Sequence, residues 1–151
     1  MERISKHLSL EECIKSDTAK KLGLANQPTP NAVVNLKLLA EKVFEPIREH
    51  FKAPITVSSV YRGRALNQAV KGSTTSQHCS GQAMDIDNVK PSNKEIFDYI
   101  KDNLEFDQLI WEFGTKSNPD WVHVSYSNTH NRKTILKATK KNNKTHYEFF
   151  K

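Results

Sequence analysis

One stretch limits the fold more than any other: Ser76-Gln77-His78-Cys79-Ser80-Gly81-Gln82-Ala83-Met84-Asp85-Ile86-Asp87. Its second half alternates polar and apolar residues, which is the pattern of a strand with one face in the core. Side chains alternate faces along a strand, so Met84 and Ile86 share one side while Ala83, Asp85 and Asp87 share the other. The apolar pair belongs in the core. Asp85 therefore points away from it, into a cleft or solvent. Gly81 permits a tight turn before the strand, and that turn folds His78 back toward Asp85. Asp87 has the same parity as Asp85 and competes with it for any role on that face.

A second strand repeats the logic. In Trp121-Val122-His123-Val124-Ser125-Tyr126 the two valines bury one face, and Trp121, His123 and Ser125 occupy the other. Two imidazole nitrogens, one carboxylate oxygen and a water make a tetrahedral zinc site with one open position. Such a zinc ion lowers the pKa of its water and polarises a carbonyl, which is the equipment for amide hydrolysis. His78, Asp85 and His123 are the candidate ligands. The helical H-E-x-x-H arrangement is absent. His7, His50, His130 and His146 are read as ordinary structural or surface histidines.

The 151 residues suit a single domain, residues 1–151, with a true apolar core. Ser9-Leu10-Glu11-Glu12 has the spacing of a capping box, and Gly23 terminates a helix after Leu22. Asn31 is expected to cap the longest helix. Its stripe is Val33, Leu36, Ala40, Val43, Phe44 and Ile47, with a kink at Pro46. Strands are expected over 55–61, 82–87, 106–113, 121–126, 134–140 and 146–150. A short helix lies over 64–70, a polar loop over 73–81, and a further helix begins at Ser92. The last two strands form a basic hairpin, about 132–150, over Lys141-Asn142-Asn143-Lys144. Helices early and strands late give an α+β class with a mainly antiparallel sheet and flanking helices.

Ser76-x-His78-x-x-Gly81-x-Ala83-x-Asp85, with Asp120-Trp121-Val122-His123-Val124-Ser125, resembles the M15 family of zinc peptidases. The likeness extends to Ser16-Asp17-Thr18-Ala19, the long helix, Ser59-Val60-Tyr61-Arg62, Leu66-Asn67 and Phe106-Asp107-Gln108-Leu109-Ile110, covering about residues 8 to 126. It is greatest for the small subfamily common in phages and bacteria. That family comprises D-Ala-D-Ala carboxypeptidases and phage L-alanyl-D-glutamate endopeptidases, which cut peptidoglycan stem peptides. The resemblance implies the hedgehog/DD-peptidase fold and zinc on His78, Asp85 and His123. It implies Asp120 as the general base or acid, and Arg62 as the residue that holds a substrate carboxylate. Ser76 and Gln77 would hydrogen-bond substrate or a ligand. On an ideal strand Asp120 faces away from His123, so the turn at Asn118-Pro119 must bend it back.

The net charge of +6 draws the chain toward polyanions such as an anionic cell wall. Basic residues and aromatics are not interleaved, so no nucleic-acid partner is expected. The basic stretch 137–144 reads as a solvated hairpin tip. Two cysteines without a CxxC pair exclude a thiolate zinc cluster, and Cys79 reads as a small buried thiol. Glu112 reads as a charged residue at a strand end rather than a support for the metal ligands. The apolar runs are too short for membrane insertion. The polar N-terminus lacks a signal-peptide core. A monomer is expected, made in the cytoplasm and acting on the wall after release or within a virion. The competing reading is a zinc-bearing wall-binding module without turnover.

Overall fold

Ser9 does what its spacing from Glu12 predicts. Its hydroxyl accepts from the Glu12 N–H at 3.2 Å, while the Glu12 carboxylate accepts from the Ser9 N–H at 3.0 Å, and helix α1 (Leu10–Ile14) starts there. Ser16 caps α2 (Asp17–Leu22), which Gly23 ends in the left-handed region at φ 70°. A small antiparallel ribbon, β1 (Arg3–Ser5) with β2 (Leu8–Ser9), precedes both. The computed structural model describes residues 2–151; Met1, the first residue of the polar N-terminal stretch, lies outside them.

The longest helix begins two residues earlier than its sequence suggests. Thr29, not Asn31, is the cap: its hydroxyl accepts from the Ala32 N–H at 3.1 Å, and Pro30 takes the first helical position. Proline is unfavourable to the residue before it but well suited to that first position, where no N–H is required. The helix runs as α3 (Pro30–Leu39), a π-helical turn (Ala40–Phe44) and α4 (Glu45–Phe51). The wide turn lies directly before Pro46, with the Glu45 N–H reaching back to the Ala40 carbonyl. The expected kink is thus a π-bulge, which makes room for a residue that has no N–H and whose ring crowds the preceding turn. Leu36, Leu39, Ala40, Val43, Phe44 and Ile47 are all buried. Leu39, three residues after Leu36, joins the stripe by ordinary helical spacing, whereas Val33 is only partly buried.

Six strands form the main sheet: β3 (Val57–Ser59), β4 (Ala83–Ile86), β5 (Gln108–Glu112), β6 (Trp121–Ser125), β7 (Thr134–Lys141) and β8 (Lys144–Phe149). Their order is β3-β4-β6-β5-β7-β8, antiparallel throughout except for the parallel β5–β7 pair. Helices α5 (Arg64–Ala69) and α6 (Asn93–Asn103) are inserted between strands, and Ser92 with Glu95 forms a second capping box on α6.

The expected strand over 55–61 is shorter. Its ladder with β4 is irregular between Val57 and Ser59. Beyond Ser59 the backbone bonds elsewhere: the Tyr61 N–H donates to the Cys13 carbonyl and the Arg62 N–H to the His78 carbonyl. The C-terminal hairpin turns over Asn142 and Asn143 alone, both at positive φ, as a two-residue hairpin loop requires.

One face of the sheet packs on the main apolar core. Met84, Ile86, Leu109, Trp111, Val122 and Val124 are buried there and join the core that includes Ile96, Phe97 and Ile100 of α6. On the opposite face the pairing aligns two rows. One runs Asp85, His123, Ile110, Leu136, Phe149; the other runs Trp121, Glu112, Ala138, Tyr147.

Candidate metal centre and cleft

His78 lies in a 3-10 turn, Gln77–Ser80, inside what reads as a plain loop in the sequence. Ser76 caps that turn by accepting from the His78 N–H at 3.2 Å. Gly81 closes it at φ 76°. A Cβ on Gly81 would lie 2.5 Å from the Ala32 carbonyl oxygen of α3, so both the dihedral and the packing demand glycine. The imidazole is oriented by its Nδ1, 2.6 Å from the Val60 carbonyl. That contact turns Nε2 toward Asp85, 3.4 Å away.

β4 and β6 supply the other two groups as a direct cross-strand pair, Asp85 opposite His123. The His123 Nδ1 is 3.0 Å from the Asp85 Oδ1. Donor atoms of His78, Asp85 and His123 all lie within 4.8 Å of one another. His78 is 2% exposed and Asp85 9%. Burial alone would raise the Asp85 carboxyl. The charge of His78 and hydrogen bonds from both imidazoles outweigh it and hold the group well below the ordinary carboxylate range. The set is therefore two nitrogens and one ionised oxygen, which fits a divalent cation. Asp87, equal to Asp85 by parity, lies past the end of β4, exposed and bonded by the Asn93 amide at 3.0 Å.

The triad opens into a cleft of about 620 Å³ whose lining includes Arg62, Lys71, Ser76, Gln77, Glu112 and Tyr147. Arg62 leaves β3 beside His78, held by its backbone bond to the His78 carbonyl, and its Nε is buried without a partner. Asn26 fixes this corner by donating to the Ile14 and Tyr61 carbonyls and accepting from the Gly63 N–H. Nothing in the local sequence around Asn26 announces that task.

Asp120 is placed differently. It is exposed at the start of β6, with its N–H on the Glu112 carbonyl, and it lines a neighbouring pocket with Phe113, Lys116, Trp121 and Lys140 rather than the triad's cleft. The second carboxyl on the face that carries Asp85 and His123 is Glu112, 7% exposed. Burial pushes it up to about 7, the nearby His123 opposing and Asp85 reinforcing the shift. Parity gives the clue: Glu112 pairs with Trp121, which shares His123's face. Cys79 is half-buried and lines a groove with Tyr61 and Leu66 instead of the cleft; Cys13 is the fully buried thiol, raised to about 12 mainly by burial.

A His–Asp–His cluster, two of its members buried, on the cleft face of an α+β sheet defines a candidate mononuclear metal site. The family model described as Peptidase M15 matches residues 6–125, and the chain belongs to that family. It is a peptidase, hence a hydrolase, of a metal-dependent family. No curated protein matches the chain. No helix among the described residues is long and apolar enough to cross a membrane.

Proposed function

We propose that the protein is a zinc-dependent peptidase that hydrolyses amide bonds in the stem peptides of peptidoglycan, acting on the wall after release from the cell or as part of a virion. The observation that carries this reading is the convergence of two imidazoles and one ionised carboxylate at the floor of an open cleft. Zinc has the right preference for that donor set, and when bound it supplies a Lewis acid and an activated water.

The protein's own groups divide the remaining work. Arg62 presents a planar fork with an unpartnered buried Nε, suited to a substrate carboxylate. Lys71 adds positive charge to the same cleft, and acidic stem peptides match that polarity. Ser76 orders the turn that carries His78, and Gln77 offers its amide to the substrate backbone. Asp120 accepts a proton from the attacking water and returns one to the leaving amine, a role worth about 10²–10⁴-fold. To do so its side chain must turn in from the exposed 113–120 loop.

The test is digestion of purified sacculi with and without chelator, followed by mass spectrometry of the products. Soluble fragments that vanish on chelation are expected. Their masses identify the bond: loss of terminal D-Ala for a carboxypeptidase, cleavage after L-Ala for an endopeptidase. Binding to sacculi without release of any fragment would instead make this a wall-recognition module.

A further inference from the structure

The family match ends at residue 125, yet the sheet does not. Strands β7 and β8 continue it beyond β5, and they add Leu136 and Tyr147 to the cleft that holds His78 and His123. The pairing explains how a residue so late in the chain reaches the site. Glu112, Ala138 and Tyr147 sit side by side in one row, on the metal face. Ala138 is fully buried and carries only a methyl group, so a ring on β8 has room to lean across it toward β5. Tyr147 does so. Partial burial raises its hydroxyl, and the charges of Glu112 and Asp85 raise it further. The residue nevertheless keeps 57% exposure, with one face left for another molecule.

We propose that the C-terminal hairpin is the far wall of the substrate cleft and that Tyr147 is a specificity-determining residue, its ring holding the peptide away from the scissile bond. This rests on the peptidase reading above. Three strand spacings separate His123 from Tyr147, roughly 14 Å at about 4.8 Å each. Allowing for the reach of the tyrosine side chain, the ring meets an extended peptide some two or three residues from the triad, at about 3.4 Å per residue. An acidic peptide thus lies between Arg62 and Lys71 at one side and the ring of Tyr147 at the other. The crossover into the hairpin is fixed, because Arg132 grips the buried Asp107 carboxylate through Nε at 2.9 Å and Nη2 at 2.8 Å.

The experiment compares wild type, Tyr147→Ala, Tyr147→Phe and His146→Ala on purified muropeptides, with zinc content and thermal unfolding measured alongside. His146 alternates to the opposite side of β8 and serves as the control. Tyr147→Ala is expected to raise KM about tenfold with kcat within about threefold, the mark of lost uniform binding. Tyr147→Phe should keep the wild-type KM, and zinc content and unfolding temperature should not move in either variant. An unchanged KM in Tyr147→Ala, or an equal rise in His146→Ala, would overturn the proposal. If wild type itself cleaves no muropeptide, the peptidase reading fails first and takes this one with it.

Discussion

Asp120 and Glu112 are two carboxyls with opposite claims on one reaction. Asp120 stands in the family's motif but is exposed; Glu112 is outside the motif but faces the triad. Asp120→Asn should retain the fold and one zinc per chain while lowering kcat by about 10²–10⁴-fold. Retained turnover would pass the proton transfer to Glu112. The environment of Glu112 makes a separate prediction. Its folded pKa of about 7 lies above its ordinary value of 4.5, chiefly through burial. A carboxyl raised on folding costs stability as pH climbs through that interval, because the unfolded chain releases the proton more easily. In metal-free protein, Glu112→Gln should therefore be more stable than wild type at pH 8, by up to about 3 kcal/mol. The gap should close by about pH 4. A gap independent of pH would mean that packing, not charge, sets the difference.

At the scale of elements, the turn that carries His78 is the most demanding. Gly81→Ala combines a positive φ with a Cβ 2.5 Å from the α3 backbone. It should destabilise by about 2 kcal/mol or more and weaken zinc binding, since the 3-10 turn must shift. Calorimetry with a zinc titration checks both. The crossover before β7 behaves differently. The Arg132 guanidinium holds the Asp107 carboxyl at about 2, below its usual 3.8, partly against the cost of burial. That contribution is fully present above about pH 4 and is lost as pH falls toward 2. Arg132→Ala should thus cost about 1–2 kcal/mol at pH 7, with the difference shrinking in acid.

These elements also show what a sequence reveals. Capping at Ser9 and Ser92, the closing glycines, and the alternation in β4 and β6 are local signals, and each is present in the structure where the sequence puts it. The shared face of Asp85 and His123 follows from that alternation. The cap of α3 shifts to Thr29 because proline serves as well inside a helix start as outside it. The parallel β5–β7 pair, the clamp made by Asn26 and the approach of Tyr147 to the cleft depend on contacts far apart in the chain, and no periodicity encodes them.

The whole molecule is a sheet with one face packed on the apolar core and the other carrying the His–Asp–His cluster and its cleft. Two of the candidate metal ligands lie on adjacent strands and the third on a turn packed against α3, so a cation held there would tie together segments up to 45 residues apart. Protons compete with a cation for both imidazoles. Zinc content and activity should fall together as pH drops below about 6, and activity surviving after zinc is gone would separate the two. The most direct test is the metal content of dialysed protein by plasma mass spectrometry, for wild type, Asp85→Asn and His123→Ala. The expected result is one zinc per wild-type chain and little or none in either variant, with secondary structure preserved. A wild-type protein that holds no zinc, or variants that hold as much as wild type, would contradict the account.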